Sequence, residues 1–178
     1  MRQLGWLFTA CALLGCRDKA ADPIRIVAGA SPSDQVTLVP KSSLAEFIEI
    51  SPSESALLLT FSSTERSCEG ESEPAPDNVT LAVRVSLPAG SKLEPGSYPI
   101  ATPGQSPARP SALPTVKLRG RRSELRPGGD LELREVDLSP HGSLSGLLKF
   151  EFPGSAEHPA TRVSGRFVAH FCRINRLR

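Results

Sequence analysis

Between Asn78 and Pro88 the chain alternates, with Val79, Leu81, Val83, Val85 and Leu87 apolar and Thr80, Ala82, Arg84 and Ser86 small or polar between them. A period of two is the repeat of a pleated strand, so the first set faces a core and the second faces water. The same pattern returns twice near the end of the chain. Leu144, Gly146, Leu148, Phe150 and Phe152 share one face of Leu144–Phe152, and Val163, Gly165, Phe167, Ala169 and Phe171 share one face of Val163–Cys172. A chain patterned in this way buries its apolar sets only by pairing strands into a sheet that doubles over or closes on itself. With 17 prolines and 14 glycines among 178 residues, the elements are short and joined by turns, and long helices are excluded.

Both late segments carry glycine two residues after the first inward side chain, with Pro153 to Thr161 between them. They read as an antiparallel hairpin at the centre of a sheet, the glycines leaving room for large neighbours. Upstream, Leu131 and Leu133 occupy odd positions whereas Val136 and Leu138 take even ones. A phase change inside a strand predicts a bulge near Arg134 and Glu135. Ala56–Phe61 is a continuous apolar run, the pattern of a strand buried on both faces. Ile24–Val27 and Gln35–Val39 are shorter strands, and Ser42–Ile50 fits either a strand or a helix opened by a Ser43/Glu46 capping box. Leu93–Ile100 reads as a turn at Pro95-Gly96 feeding an edge strand. Its Tyr98, the sole tyrosine, is expected to pack half-buried with its hydroxyl bonded at a strand corner. Ala101–Pro114 contains four prolines and is expected to be an irregular loop, after which Thr115–Arg119 resumes a strand. The basic Lys117, Arg119, Arg121 and Arg122 fit a solvated hairpin tip.

The first residues follow a different logic. Arg2 precedes an uncharged run of eleven residues, Leu4 to Leu14, which ends abruptly at Cys16-Arg17-Asp18-Lys19. The run is too short to span a hydrocarbon core of about 30 Å, which takes roughly twenty apolar residues, and it suits the apolar segment of an export signal. Leu13-Leu14-Gly15-Cys16 resembles the lipobox of bacterial lipoproteins. That resemblance covers about the first tenth of the chain. It implies cleavage after Gly15, a lipid thioether on Cys16, a tether over 16–23 and a single domain over 24–178. It also implies a location in the bacterial cell envelope, on the outer membrane or the periplasmic face, with the membrane as partner through the Cys16 lipid.

Loss of residues 1–15 would remove one cation and no anion, lowering the formal charge of +2 by one. Near neutrality supplies no attraction for nucleic acid. Besides Cys16 the exported chain would keep Cys68 and Cys172, and in an oxidising compartment a single remaining pair implies a disulfide. Their spacing lacks the Cys-x-x-Cys of a metal pair.

Local catalytic signatures are missing. Ser145 and Ser164 lack the Gly-x-Ser-x-Gly elbow of a hydrolase. His141, His158 and His170 have no ligand spacing such as His-x-His. Glu69, Glu71, Glu73 and Asp77 lack the order of a calcium loop and read as a solvated acidic loop. No cofactor or metal is expected. The sequence thus predicts an all-β protein, an antiparallel β-sandwich or flattened barrel of about eight or nine strands following the signal peptide. Its expected role is that of a lipid-anchored envelope module that binds a protein or glycan partner or serves a structural purpose. The alternative is an envelope hydrolase whose site is assembled from dispersed residues.

Overall fold

A computed structural model describes residues 24–28, 35–69, 78–101, 108–118, 121–123, 127–154 and 160–176, with only the backbone described for 28, 35, 36, 118 and 121–123. The expected signal peptide and tether, the acidic residues Glu71, Glu73 and Asp77, and His158 lie outside the described residues. Every element among the described residues is a strand: β1 (Ile24–Ala28), β2 (Gln35–Leu38), β3 (Ser42–Ser51), β4 (Glu54–Ser62), β5 (Thr80–Pro88), β6 (Gly96–Pro99), β7 (Ser111–Leu118), β8 (Arg121–Ser123), β9 (Gly128–Val136), β10 (Ser143–Phe152) and β11 (Thr161–Arg176). The fold is therefore all-β as expected, with eleven strands rather than eight or nine. Three residues of β8 are too few to show a period, and the capping-box alternative for Ser42–Ile50 gives way to ten residues of β3.

The main path runs β6-β9-β10-β11-β3-β4-β5-β7-β8. A bridge between Ile100, just past β6, and Ala112 of β7, with Ala101 N–H donating to Ala112 O at 2.8 Å, nearly closes the sheet into a flattened barrel. Full closure removes open edges, and here β8 continues the main path beyond the β6–β7 seam while the β1–β2 ribbon lies off that path. Two expectations about connectivity are corrected. The sheet is not wholly antiparallel, because β11 pairs with β3 in parallel. Ala101–Pro114 is not a loop throughout, because β7 starts at Ser111 and carries Pro114 opposite Val83. Proline is accommodated there since β8 reaches only Val116–Leu118, leaving Pro114 outside that ladder.

The alternating sets fill one core. Leu81, Val83, Val85 and Leu87 of β5 meet Leu57, Leu59 and Phe61 of β4, and Leu144, Leu148, Phe150 and Phe152 of β10 meet Val163, Phe167, Ala169 and Phe171 of β11, all in a single buried cluster. Ile24 and Ile26 add the β1 ribbon to that cluster. Phe61 packs edge-to-face on Phe167 with ring centroids 5.3 Å apart, a geometry that favours the ring quadrupoles. The run in β4 differs from the double-sided burial expected, since Leu58 and Thr60 on its outer face are only half-buried.

β10 and β11 form the expected antiparallel hairpin, and its register puts Gly146 opposite Phe167 and Gly165 opposite Leu148. A Cβ on Gly146 would run into the Glu132 carbonyl oxygen and lie 2.9 Å from Phe167 Cε1, so the glycine is required by close approach. The bulge falls where the phase change places it. Ser145 pairs with Glu135 and Gly146 with Leu133, which leaves Arg134 unpaired. Tyr98 also occupies its expected corner. It is buried rather than half-buried, 5% exposed; its hydroxyl donates to Glu94 O at 2.6 Å and accepts from Glu94 N–H at 3.1 Å.

Burial pushes the Tyr98 pKa above its usual value, opposed by the Glu94 N–H bond and helped by the Glu94 carboxylate. A raised folded-state pKa makes the associated stability fully present below the unfolded value of about 10 and lost as pH rises through the folded value. Phenolate absorbance should therefore titrate above that of a model tyrosine, and thermal stability should fall over the same alkaline window. Tyr98→Phe should flatten the fall in that window at a cost of about 1 kcal/mol at neutral pH. Gly146→Ala should destabilise the fold by about 1–3 kcal/mol in urea denaturation, because the obstructing carbonyl belongs to the backbone of a paired strand.

Candidate functional site

Three surface features are built by this barrel, and two of them lie toward opposite ends of β3. At its first end, β3, β4 and β5 meet over a buried polar cluster. Ser62 Oγ and Ser63 Oγ both donate to Asn78 Oδ1, at 3.1 and 3.0 Å. Ser42 Oγ donates to Thr64 O at 3.0 Å, and Val79 N–H donates to Ser63 Oγ at 3.0 Å. Buried hydroxyls and amides are stable only when paired, and this set closes the base of the loop that carries Cys68. Cys68 and Cys172 are joined, with Cα atoms 5.2 Å apart across a separation of 104 residues. The register of β11 against β3 shifts between Phe171 and Arg173, so Cys172 is the extra residue of a bulge. An unpaired residue there is turned out of the ladder and left available to the loop.

Past the bulge, Arg173 pairs in register with Glu46 and Arg176 with Glu49. Their charged groups meet at 3.2 Å and 2.8 Å, and Asn175 Nδ2 also donates to Glu46 at 3.4 Å. Exposed pairs of this kind contribute little individually. Their value is positional, since opposite charges directly across a ladder fix its register.

At the second end lies an open groove of about 550 Å³. Phe47 and Leu87 line it, together with the β3–β4 turn from Ser51 to Ser55 and the Pro88–Ser91 turn, with Glu49, Glu54 and Arg176 among the charged residues. Ser53 N–H donates to Ser51 Oγ at 3.2 Å, and Ser91 N–H donates to Pro88 O at 3.0 Å, so both turns are internally bonded. Hydroxyls, carboxylates and a guanidinium around an apolar floor suit a ligand that forms many hydrogen bonds.

The third feature is on the outer surface of β11. His141, in the turn after β9, and His170 on β11 have ring centroids 6.4 Å apart. Both are exposed. The sequence separates them by 29 positions, so no spacing rule could pair them. Ser145 instead donates to Glu135 Oε2 at 2.9 Å, and among the described residues neither imidazole is hydrogen-bonded to a serine or a carboxylate. Of the basic residues expected at a hairpin tip, Arg119 lies outside the described residues, and the hairpin backbone pairs Lys117 with Arg122 and Leu118 with Arg121.

Sequence reasoning anticipated the cysteine pair and missed the groove and the histidine pair. The groove joins β3, β4, β5 and the end of β11, segments whose adjacency exists only in the sheet order. Comparison with family models, with curated proteins and with solved structures found no match to this chain.

Replacing both Cys68 and Cys172 by alanine should lower stability by about 4 kcal/mol, the loop-closure contribution for a bridge spanning about a hundred residues. Urea denaturation of the variant against the non-reduced parent measures it. Unchanged midpoints, or alkylation of both cysteines without reductant, would contradict the bridge.

Proposed function

We propose that this chain is a lipid-anchored module of the bacterial cell envelope, held by acyl chains on Cys16, whose barrel presents a binding groove to an envelope protein or glycan. The observation that carries the reading is the sequence Leu13-Leu14-Gly15-Cys16 at the end of an uncharged run. Two or three acyl chains, at about 0.8 kcal/mol for each buried methylene, anchor far more firmly than one.

The geometry of the barrel supports it in two respects. Seven residues separate Cys16 from Ile24, the first residue of β1, and at full extension they reach about 25 Å. The domain would therefore stay close to the lipid surface. β1 lies along the start of β11, Arg25 opposite Ser164, whereas the groove includes Arg176 at the end of that strand. Twelve residues of extended chain, roughly 40 Å, separate Ser164 from Arg176 along β11. Large apolar side chains fill the core, which favours recognition at the surface.

Cys16→Ala should shift the protein from the membrane fraction to the soluble fraction, and intact mass of the parent should show a lipidated chain beginning at Cys16. Retention of the variant in membranes, or an unmodified chain starting elsewhere, would end the anchor. Ser53→Trp should leave folding and anchoring intact while abolishing crosslinks formed from the groove in cells. Persisting crosslinks would move the binding face elsewhere.

A further inference from the structure

We propose that His141 and His170 together form a binding site for a divalent late transition-metal ion, with Zn2+ as the reference ion. The two imidazoles come from separate elements, and the backbone joins the residues beside them, Phe171 N–H donating to Gly142 O at 2.9 Å. That bond sets the turn after β9 directly against β11. The ring centroids are 6.4 Å apart and the planes differ by 31°. An ion held by one nitrogen of each ring at about 2.0–2.1 Å would place the centroids roughly 5–6 Å apart in tetrahedral geometry. Side-chain rotation of about an ångström closes that difference. Neither ring has a hydrogen bond among the described residues and both are exposed, so both are free to rotate.

The turn itself supplies the second observation. His141 has φ 67°, in the left-handed region that glycine enters without steric cost and other residues do not. The turn is tightly bonded around it. Gly142 N–H donates to Ser139 O at 2.8 Å and Asp137 N–H to Ser143 O at 3.1 Å, while Ser139 N–H donates to Asp137 Oδ1 at 2.9 Å. An imidazole is thus held against its backbone preference at the position that faces a second imidazole, and strain of this kind gathers at ligand sites. Ser139 also holds the Asp137 carboxyl below the usual carboxylate range, so the same turn carries a fixed negative charge wherever imidazole is neutral and able to ligate. Neutral imidazole suits zinc, copper and nickel. Two ligands leave the remaining coordination positions open to water or to a donor from another molecule. This site is independent of the anchor and of the groove.

Titration of ZnCl2 into the full chain in detergent, followed by calorimetry and by the imidazole NMR signals, tests the proposal. The expected result is saturable binding of one ion per chain, with His141 and His170 shifting together and His158 unmoved. His170→Ala should weaken binding by roughly ten- to a hundredfold, the gain that a second tethered ligand confers. His141→Gly should do the same while leaving the melting temperature equal or higher, because glycine relieves the strained turn and separates loss of a ligand from loss of the fold. His158→Ala should bind as the parent does. Binding that is absent, that moves with His158, or that survives either His141→Gly or His170→Ala unchanged overturns the site.

Discussion

The pairing of β11 with β3 is the contact on which the rest of this molecule depends. β11 is 16 residues long, and it first runs antiparallel between β10 and β1, then parallel to β3. Among the described residues, without the second half of that strand the β9–β10–β11 group and the β3–β4–β5 group would be joined in the sheet only through the bridge from Ile100 to Ala112. Parallel pairing is slightly weaker per residue than antiparallel pairing, and here it is reinforced from both sides. Glu46 and Glu49 meet Arg173 and Arg176 across the ladder, and the Cys172 bulge links the strand to the loop of Cys68.

The three surface features follow from that strand. His170 lies near its middle, Cys172 at its bulge and Arg176 at its end, so the histidine pair, the disulfide and the groove are stations along one element. Their spacing is therefore set by strand rise, about 3.3 Å per residue, and the packed core beneath holds it. The β1 ribbon lies against the first residues of the same strand, Arg25 opposite Ser164 and Ala28 opposite Thr161. Recognition sites mounted on paired strands are held more precisely than sites on loops.

Local patterning had a definite reach in this chain. Period-two alternation located the inward faces of β5, β10 and β11, and a phase change of one residue located the bulge at Arg134, because side-chain direction in a strand depends only on position parity. Glycine in the inward set of β10 marked the place where Phe167 needed room. Tyr98 was legible as a corner residue because a lone tyrosine beside Pro95-Gly96 must pair its hydroxyl to be buried. β8 was invisible, as three residues carry no period. Pro114 pointed to a loop since proline opposes a ladder, and only the short reach of β8 explains its place in β7.

The sequence by itself determined the all-β class and the inward face of each regular strand, for these depend on parity and composition. Strand order was decided by tertiary structure alone. Parallel docking of β11 on β3 requires the whole chain between Ser51 and Thr161 to return, and nothing local encodes that return. The groove and the meeting of His141 with His170 are products of that order. Residues distant in sequence become neighbours there because two half-sheets each had an apolar face to bury and one long strand could pair with both.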